Sequence, residues 1–144
     1  MQISRREFAG VATCAICAAA GLAPAGAAMA ADNPPGTATQ GLTRKLLSQS
    51  EGPMPGYVTI IAEVTIEPSV LVARHTHPGI ESGYVVEGAI DLPIEGQPTR
   101  SLKPGDGFQV PAETPHAGGK NGEQRTKIVS TYVVEKGKPL ASPA

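Results

Sequence analysis

Tryptophan is absent from this sequence, and cysteine occurs only twice, at Cys14 and Cys17. Histidine is nearly as scarce, with three in the whole chain, at His75, His77 and His116. Charge of one sign is not in excess either, since 12 basic and 13 acidic side chains leave a formal net charge of -1. That balance argues against nucleic acid or an anionic membrane as a partner. What the chain does have is turn formers, with 17 Gly and 14 Pro among 144 residues. Such a composition suits many short strands joined by tight turns rather than long helices, which makes the expected class all-β. The length fits one domain that removes about two-thirds of its unfolded surface from water, so a bound metal or a second subunit would help it.

The first thirty residues read as an address rather than as fold. Ser4-Arg5-Arg6-Glu7-Phe8 is followed by a mild apolar run from Ala9 to Ala23 and by small residues around Ala28-Met29-Ala30, the order of a charged segment, an apolar segment and an A-x-A cleavage site. The paired arginines with a nearby Phe resemble the twin-arginine signal, which implies export of an already folded protein to the periplasm or beyond. An ordinary Sec signal is the alternative. A membrane anchor is disfavoured because glycines, Thr13 and Pro24 interrupt a stretch shorter than the ~20 residues that span a bilayer. Cys14 and Cys17 lie inside the apolar segment without a convincing lipobox, so the mature protein is expected to hold no disulfide. Cleavage removes Arg5, Arg6 and Glu7, two positive charges and one negative, and takes the net charge from -1 to -2.

Residues 31–56 read as a linker and N-terminal arm, rich in Pro, Gly and Thr, in which Leu42, Leu46 and Leu47 are expected to form a short strand or turn packed on the domain or on a neighbouring subunit. A barrel is expected over 57–137 and a tail over 138–144. Val58, Ile60, Ala62, Val64 and Ile66 alternate with more polar residues, the clearest strand of the chain. Further strands are expected at 69–77, 80–88, 89–94, 99–102, 108–110 and 126–134, with Pro93 marking an edge or a bulge. No internal repeat is visible, so a single unit is expected.

The three histidines, with Glu81, carry the chemistry. Positions i and i+2 of a strand face the same way, so His75 and His77 can converge on one ion. The Pro78-Gly79 turn can return Glu81 on the neighbouring strand, and His116 can close the site from a third. Three imidazoles and a carboxylate suit Mn, Fe, Co, Ni, Cu or Zn rather than Ca or Mg. Tyr84 and Glu87 lie nearby in sequence but read as ordinary strand and turn residues.

The run His75-Thr76-His77-x-x-x-Glu81-x-x-x-x-x-x-Gly88 resembles the first motif of the cupins. Gly105-x-x-x-x-x-Pro111-x-Glu113-x-x-His116 is similar to the second. Three positions depart from the pattern: Ser69 and Glu113 stand where Gly is usual, and Lys120 stands where Asn is expected, with Asn121 one place late. These departures touch turns rather than ligands. The resemblance covers roughly residues 69–121 and implies a small double-stranded β-helix, or jelly-roll, barrel holding one divalent metal on His75, His77, Glu81 and His116.

By resemblance to the small quercetin-dioxygenase-like cupins, the activity expected is metal-dependent oxidation of a small phenolic or enolic metabolite, with Glu81 as ligand or catalytic base. A non-catalytic module that captures a small ligand or the metal is the rival. A decarboxylase or isomerase is disfavoured, because no second inward Arg or Lys is evident to hold an anionic substrate. Leu71 and Ala73 share the parity of His75 and are expected to line an apolar pocket, with Arg74 pointing outward. Loading in the cytoplasm before export favours Mn or Fe, whereas folding outside would favour Cu or Zn by intrinsic affinity. A homodimer formed through sheet edges is expected.

Overall fold

The computed structural model describes residues 40–119 and 122–144. The targeting segment, both cysteines, residues 31–39 of the linker, Lys120 and Asn121 lie outside the described residues.

Ten strands and no helix make up the described chain: β1 Leu42–Glu51, β2 Tyr57–Ile66, β3 Val72–Thr76, β4 Gly79–Glu87, β5 Ile90–Leu92, β6 Arg100–Leu102, β7 Gly107–Val110, β8 His116–Gly118, β9 Thr126–Glu135 and β10 Ser142–Pro143. They form a five-stranded sheet in the order β1-β2-β9-β4-β7, a three-stranded sheet β10-β3-β8 and the β5-β6 hairpin. All named pairings are antiparallel. The all-β class and the cupin jelly-roll barrel expected from the sequence are the fold observed.

The period of two seen in the sequence is what closes the barrel. Along β2 and β9 every second side chain is buried and the others are half-buried. Val58, Ile60, Ala62, Val64 and Ile66 thus meet Thr126, Ile128, Ser130, Tyr132 and Val134 on one inner surface. Two apolar clusters result. One gathers Leu42, Val64, Ile66, Val85, Phe108 and Ile128 with residues of β5 and β6, and the other Val58, Ile60, Ala62, Tyr132, Val134 and Leu140.

Two expectations are corrected here. Residues 42–51 form a full strand paired with β2, burying Leu42 and Arg44, rather than a short element of a linker. Residues 138–144, expected as a tail, return to the barrel: Leu140 and Ala141 are buried and β10 pairs with Thr76 and His75. Neither segment shows a long alternation, so periodicity alone could not mark them.

Candidate metal centre

β3 and the turn after it place the first two histidines. The strand ends at Thr76, and Pro78 has no N–H with which to continue a ladder. Gly79 then opens β4 against β9 so closely that a Cβ would stand 2.0 Å from the Val133 carbonyl oxygen. That approach sets Glu81 opposite Tyr132 on one side and Val110 on the other. His116 opens β8 directly across from His75.

The four side chains meet inside the barrel. Ring centroids of His75 and His116 are 4.2 Å apart, those of His75 and His77 4.9 Å, and those of His77 and His116 5.0 Å. One donor nitrogen from each histidine lies within 4.8 Å of the other two. All three rings and Glu81 are buried.

Hydrogen bonds to the backbone decide which nitrogen faces inward. Nδ1 of His75 lies 2.7 Å from the Ala73 carbonyl oxygen, that of His77 2.6 Å from Leu140 and that of His116 2.9 Å from Thr114. A carbonyl only accepts, so each Nδ1 carries the hydrogen and donates it. The three Nε2 atoms are left for the centre, the arrangement that second partners impose on metal-ligating histidines. Glu81 is held as firmly: Ser130 donates its hydroxyl to Oε1 at 2.8 Å, while Oε2 lies 3.1 Å from His77 Nε2 and 3.4 Å from His116 Nε2. His116 Nε2 is buried and has no hydrogen-bond partner.

Electrostatics adds a requirement. Burial, followed by the neighbouring His116, lowers the pKa of His75 to about 4, so its ring is neutral near pH 7. Burial pulls the Glu81 carboxyl upward, but the adjoining His116 and His77 side chains lower it by more, so the group lies well below its ordinary range, as an anion. Burial and the Glu81 charge raise the phenol of Tyr132, which stays protonated. Imidazole lone pairs and a carboxylate facing one another out of water repel unless positive charge stands among them. A divalent ion would supply that charge. Ligands about 2.1 Å from a common first-row ion and at right angles to each other stand roughly 3.0 Å apart, close to the 3.1 Å between His77 Nε2 and Glu81 Oε2. Nitrogen and oxygen donors in this mixture fit a transition metal. The structure therefore brings together all four residues singled out from the sequence, and they fit one ion.

A cavity of about 50 Å³ opens beside the cluster, lined on its polar side by Arg44, His75, Glu81, His116, Ser130 and Tyr132 and elsewhere by apolar residues such as Leu42, Val64, Ile66 and Phe108. The expected apolar character is present, but not from the residues expected. A register shift between Val72 and His75 breaks the alternation, so Val72 is buried while Leu71 is 61% exposed and Ala73 also faces out. Arg74 does point outward, paired with Glu95. The absence of an inward cation is corrected as well: Arg44 on β1 is only 7% exposed and lines this cavity. A signal for it exists, since Arg44 shares the parity of Leu42 and Leu46. Ser130 and Tyr132 were missed too, although they sit on the inward parity of β9 between Ile128 and Val134. Tyr84 and Glu87 are exposed and distant from the chemistry.

Residues 62–132 match the cupin domain family. Among solved structures, the polyketide cyclase RemF from Streptomyces resistomycificus is similar over 76% of this chain and 75% of its own, at a TM-score of 0.61 and 17% identity. An uncharacterized conserved protein with a double-stranded β-helix domain from Klebsiella pneumoniae aligns over 75% of this chain and 90% of its own, at a TM-score of 0.59 and 15% identity. The DMSP lyase DddQ from Ruegeria pomeroyi aligns over 66% of this chain, at a TM-score of 0.57 and 20% identity, and this chain spans 44% of its length. Comparison with curated protein sequences gives no match. At these identities the structural likeness shows the fold.

Proposed function

We propose that this chain, whose residues 62–132 match the cupin domain family, is an exported, metal-dependent enzyme, a dioxygenase that acts on a small enolic or phenolic metabolite. One observation carries the reading: three inward Nε2 atoms and a carboxylate converge, each steadied from behind, at the wall of a small apolar cavity. His75, His77, His116 and Glu81 would hold the ion, which supplies Lewis acidity toward a substrate oxygen and a meeting point with dioxygen.

The chain's own residues do the rest. Glu81 would serve as a ligand or, if it swings away from the ion, as the base that takes the proton of an enol or phenol, and Ser130 holds its Oε1 in the resting position. Tyr132 remains a proton donor beside it. The apolar wall of Val64, Ile66, Phe108 and Ile128 keeps bulk water from the site and limits the substrate to a few heavy atoms.

The Arg5-Arg6 signal supports export in the folded state and therefore loading with Mn or Fe before Cu or Zn is met. A homodimer is supported by the outer face of β4, where Ile80, Tyr84 and Val86 are 47%, 53% and 47% exposed. Oxygen-electrode assays of Mn-loaded and Fe-loaded protein with small diketones, enols and phenols test the activity. Metal-dependent uptake that disappears in Glu81→Gln is expected. Turnover without oxygen consumption would replace the dioxygenase by a non-oxidative reaction, and binding without turnover would leave a ligand-capture module.

A further inference from the structure

Arg44 is out of keeping with its surroundings. It faces inward from β1, between Leu42 and Leu46, and its register partner is Val64, which in turn pairs with Ile128. The neighbouring inward row of the same sheet runs Leu46, Ala62, Ser130, Gly83. Arg44 is therefore one row from Ser130, the residue that holds Glu81, and Ala62, the smallest inward side chain of β2, stands between them. The side chain is 7% exposed, and its Nε is sealed from water with no hydrogen-bond partner. Glu81, the carboxylate of the same cavity, is already engaged by Ser130 and His77. Tyr132, the other polar neighbour, is a neutral phenol.

A permanently charged guanidinium among Leu42, Val64 and Ile128 is costly without a counter-charge and with its Nε–H unpartnered. A guanidinium matches a carboxylate in plane and in spacing, giving paired charge-assisted hydrogen bonds that no neutral oxygen can match.

We propose that Arg44 anchors the carboxylate of the substrate, so that the cavity takes a small carboxylic acid whose enolic or hydroxyl oxygen is directed to the His75, His77, His116 and Glu81 cluster. This rests on the cavity being the substrate site and narrows the class of molecule it admits. Arg44 acts by binding and positioning, while the proton is handled at Glu81.

The test is calorimetric titration of the full-length chain with acetate, propionate and pyruvate, and with the uncharged acetamide and propionamide, in chelator-treated and in Mn-loaded protein. Saturable binding of the acids but not of the amides is expected in both forms. Arg44→Gln is expected to weaken it tenfold or more and Arg44→Lys by less. Arg44→Met, measured by thermal unfolding without ligand, is expected to leave the midpoint unchanged or to raise it, because an uncompensated buried charge has been removed. Equal binding of acids and amides, no binding of either, an unaltered affinity in Arg44→Gln, or a fall of several degrees in Arg44→Met would each overturn the proposal. The metal-free arm separates the two claims: acid binding there stands whether or not the protein takes up a metal, and a metal-loaded protein indifferent to Arg44 leaves the metal centre intact while removing the carboxylate.

Discussion

The wall built by β3, β4 and β8 and the wall built by β1 both carry ionisable side chains into the barrel, yet they treat them differently. On the first wall every histidine is braced by a main-chain carbonyl and Glu81 by Ser130. On the second, Arg44 is buried to a similar degree and its Nε has nothing to bond to. Bracing from behind with lone pairs in front describes ligands prepared for an ion that stays, because the protein has already fixed their orientation. A charge that is buried but unbraced describes a group whose partner comes and goes. On the reading proposed, the difference would separate a resident cofactor from a transient ligand within one small interior.

The strongest way to break the contrast is to truncate one residue from each wall. His77→Ala removes the ring that touches Glu81 and bonds to Leu140, leaving the Leu140 carbonyl without its donor and the buried carboxylate with Ser130 and His116 alone. We expect it to lose the metal and to destabilise the fold by about 3 kcal/mol, read by urea unfolding. Arg44→Met should show no such loss, and similar destabilisation in the two variants would erase the distinction.

Lowering pH probes the braced wall without mutation. In metal-free protein the folded pKa of His75, about 4, lies below its ordinary 6.5, so between those values the unfolded chain binds a proton that the folded ring refuses. Stability should therefore fall as pH drops from 6.5 toward 4, by up to about 3 kcal/mol from this group. Glu81, whose folded pKa is depressed, adds stability above the ordinary carboxylate range and loses it as pH falls through its folded value, extending the decline below pH 4.5. Unfolding curves at several pH values check this, and a flat profile between pH 7 and 4.5 would contradict the burial of a neutral His75.

A smaller effect is expected from Ser130→Ala, which leaves all four ligands but releases Oε1 of Glu81. Metal affinity should drop 10- to 100-fold, as is usual when such outer partners are removed, measured by competition with a chelator. The smallest effect belongs to the turns. Ser69 and Glu113 adopt φ of 61° and 55°, the left-handed region, at the two described positions where this chain departs from a glycine of the cupin pattern. Ser69→Gly and Glu113→Gly should each stabilise the protein by about 1 kcal/mol and leave metal content unchanged.

Much of this was legible in the sequence. The alternation of β2 announced a barrel wall, and the spacing of His75, His77, Glu81 and His116 announced the cluster, because strand geometry turns sequence offsets directly into faces. The departures at Ser69 and Glu113 were placed in turns, and there the structure shows left-handed backbone. Parity failed where the strand itself departs from regular pairing: the shift between Val72 and His75 exchanged Leu71 and Ala73 for Val72. Arg44 was hidden for another reason, since its strand has only two other apolar inward positions and the segment before it reads as linker. The Leu140 carbonyl that orients His77 comes from 63 residues away, in a stretch whose role depends on tertiary contact alone.

The central claim is that the four converging side chains hold one transition-metal ion, and elemental analysis of the protein exported by its own signal tests it most directly. The account predicts close to one ion of Mn or Fe per chain, with occupancy collapsing in His75→Ala, His77→Ala and His116→Ala but not in Glu113→Gly. Absence of bound metal in the wild type, or ordinary metal content in two of the three histidine variants, would contradict it.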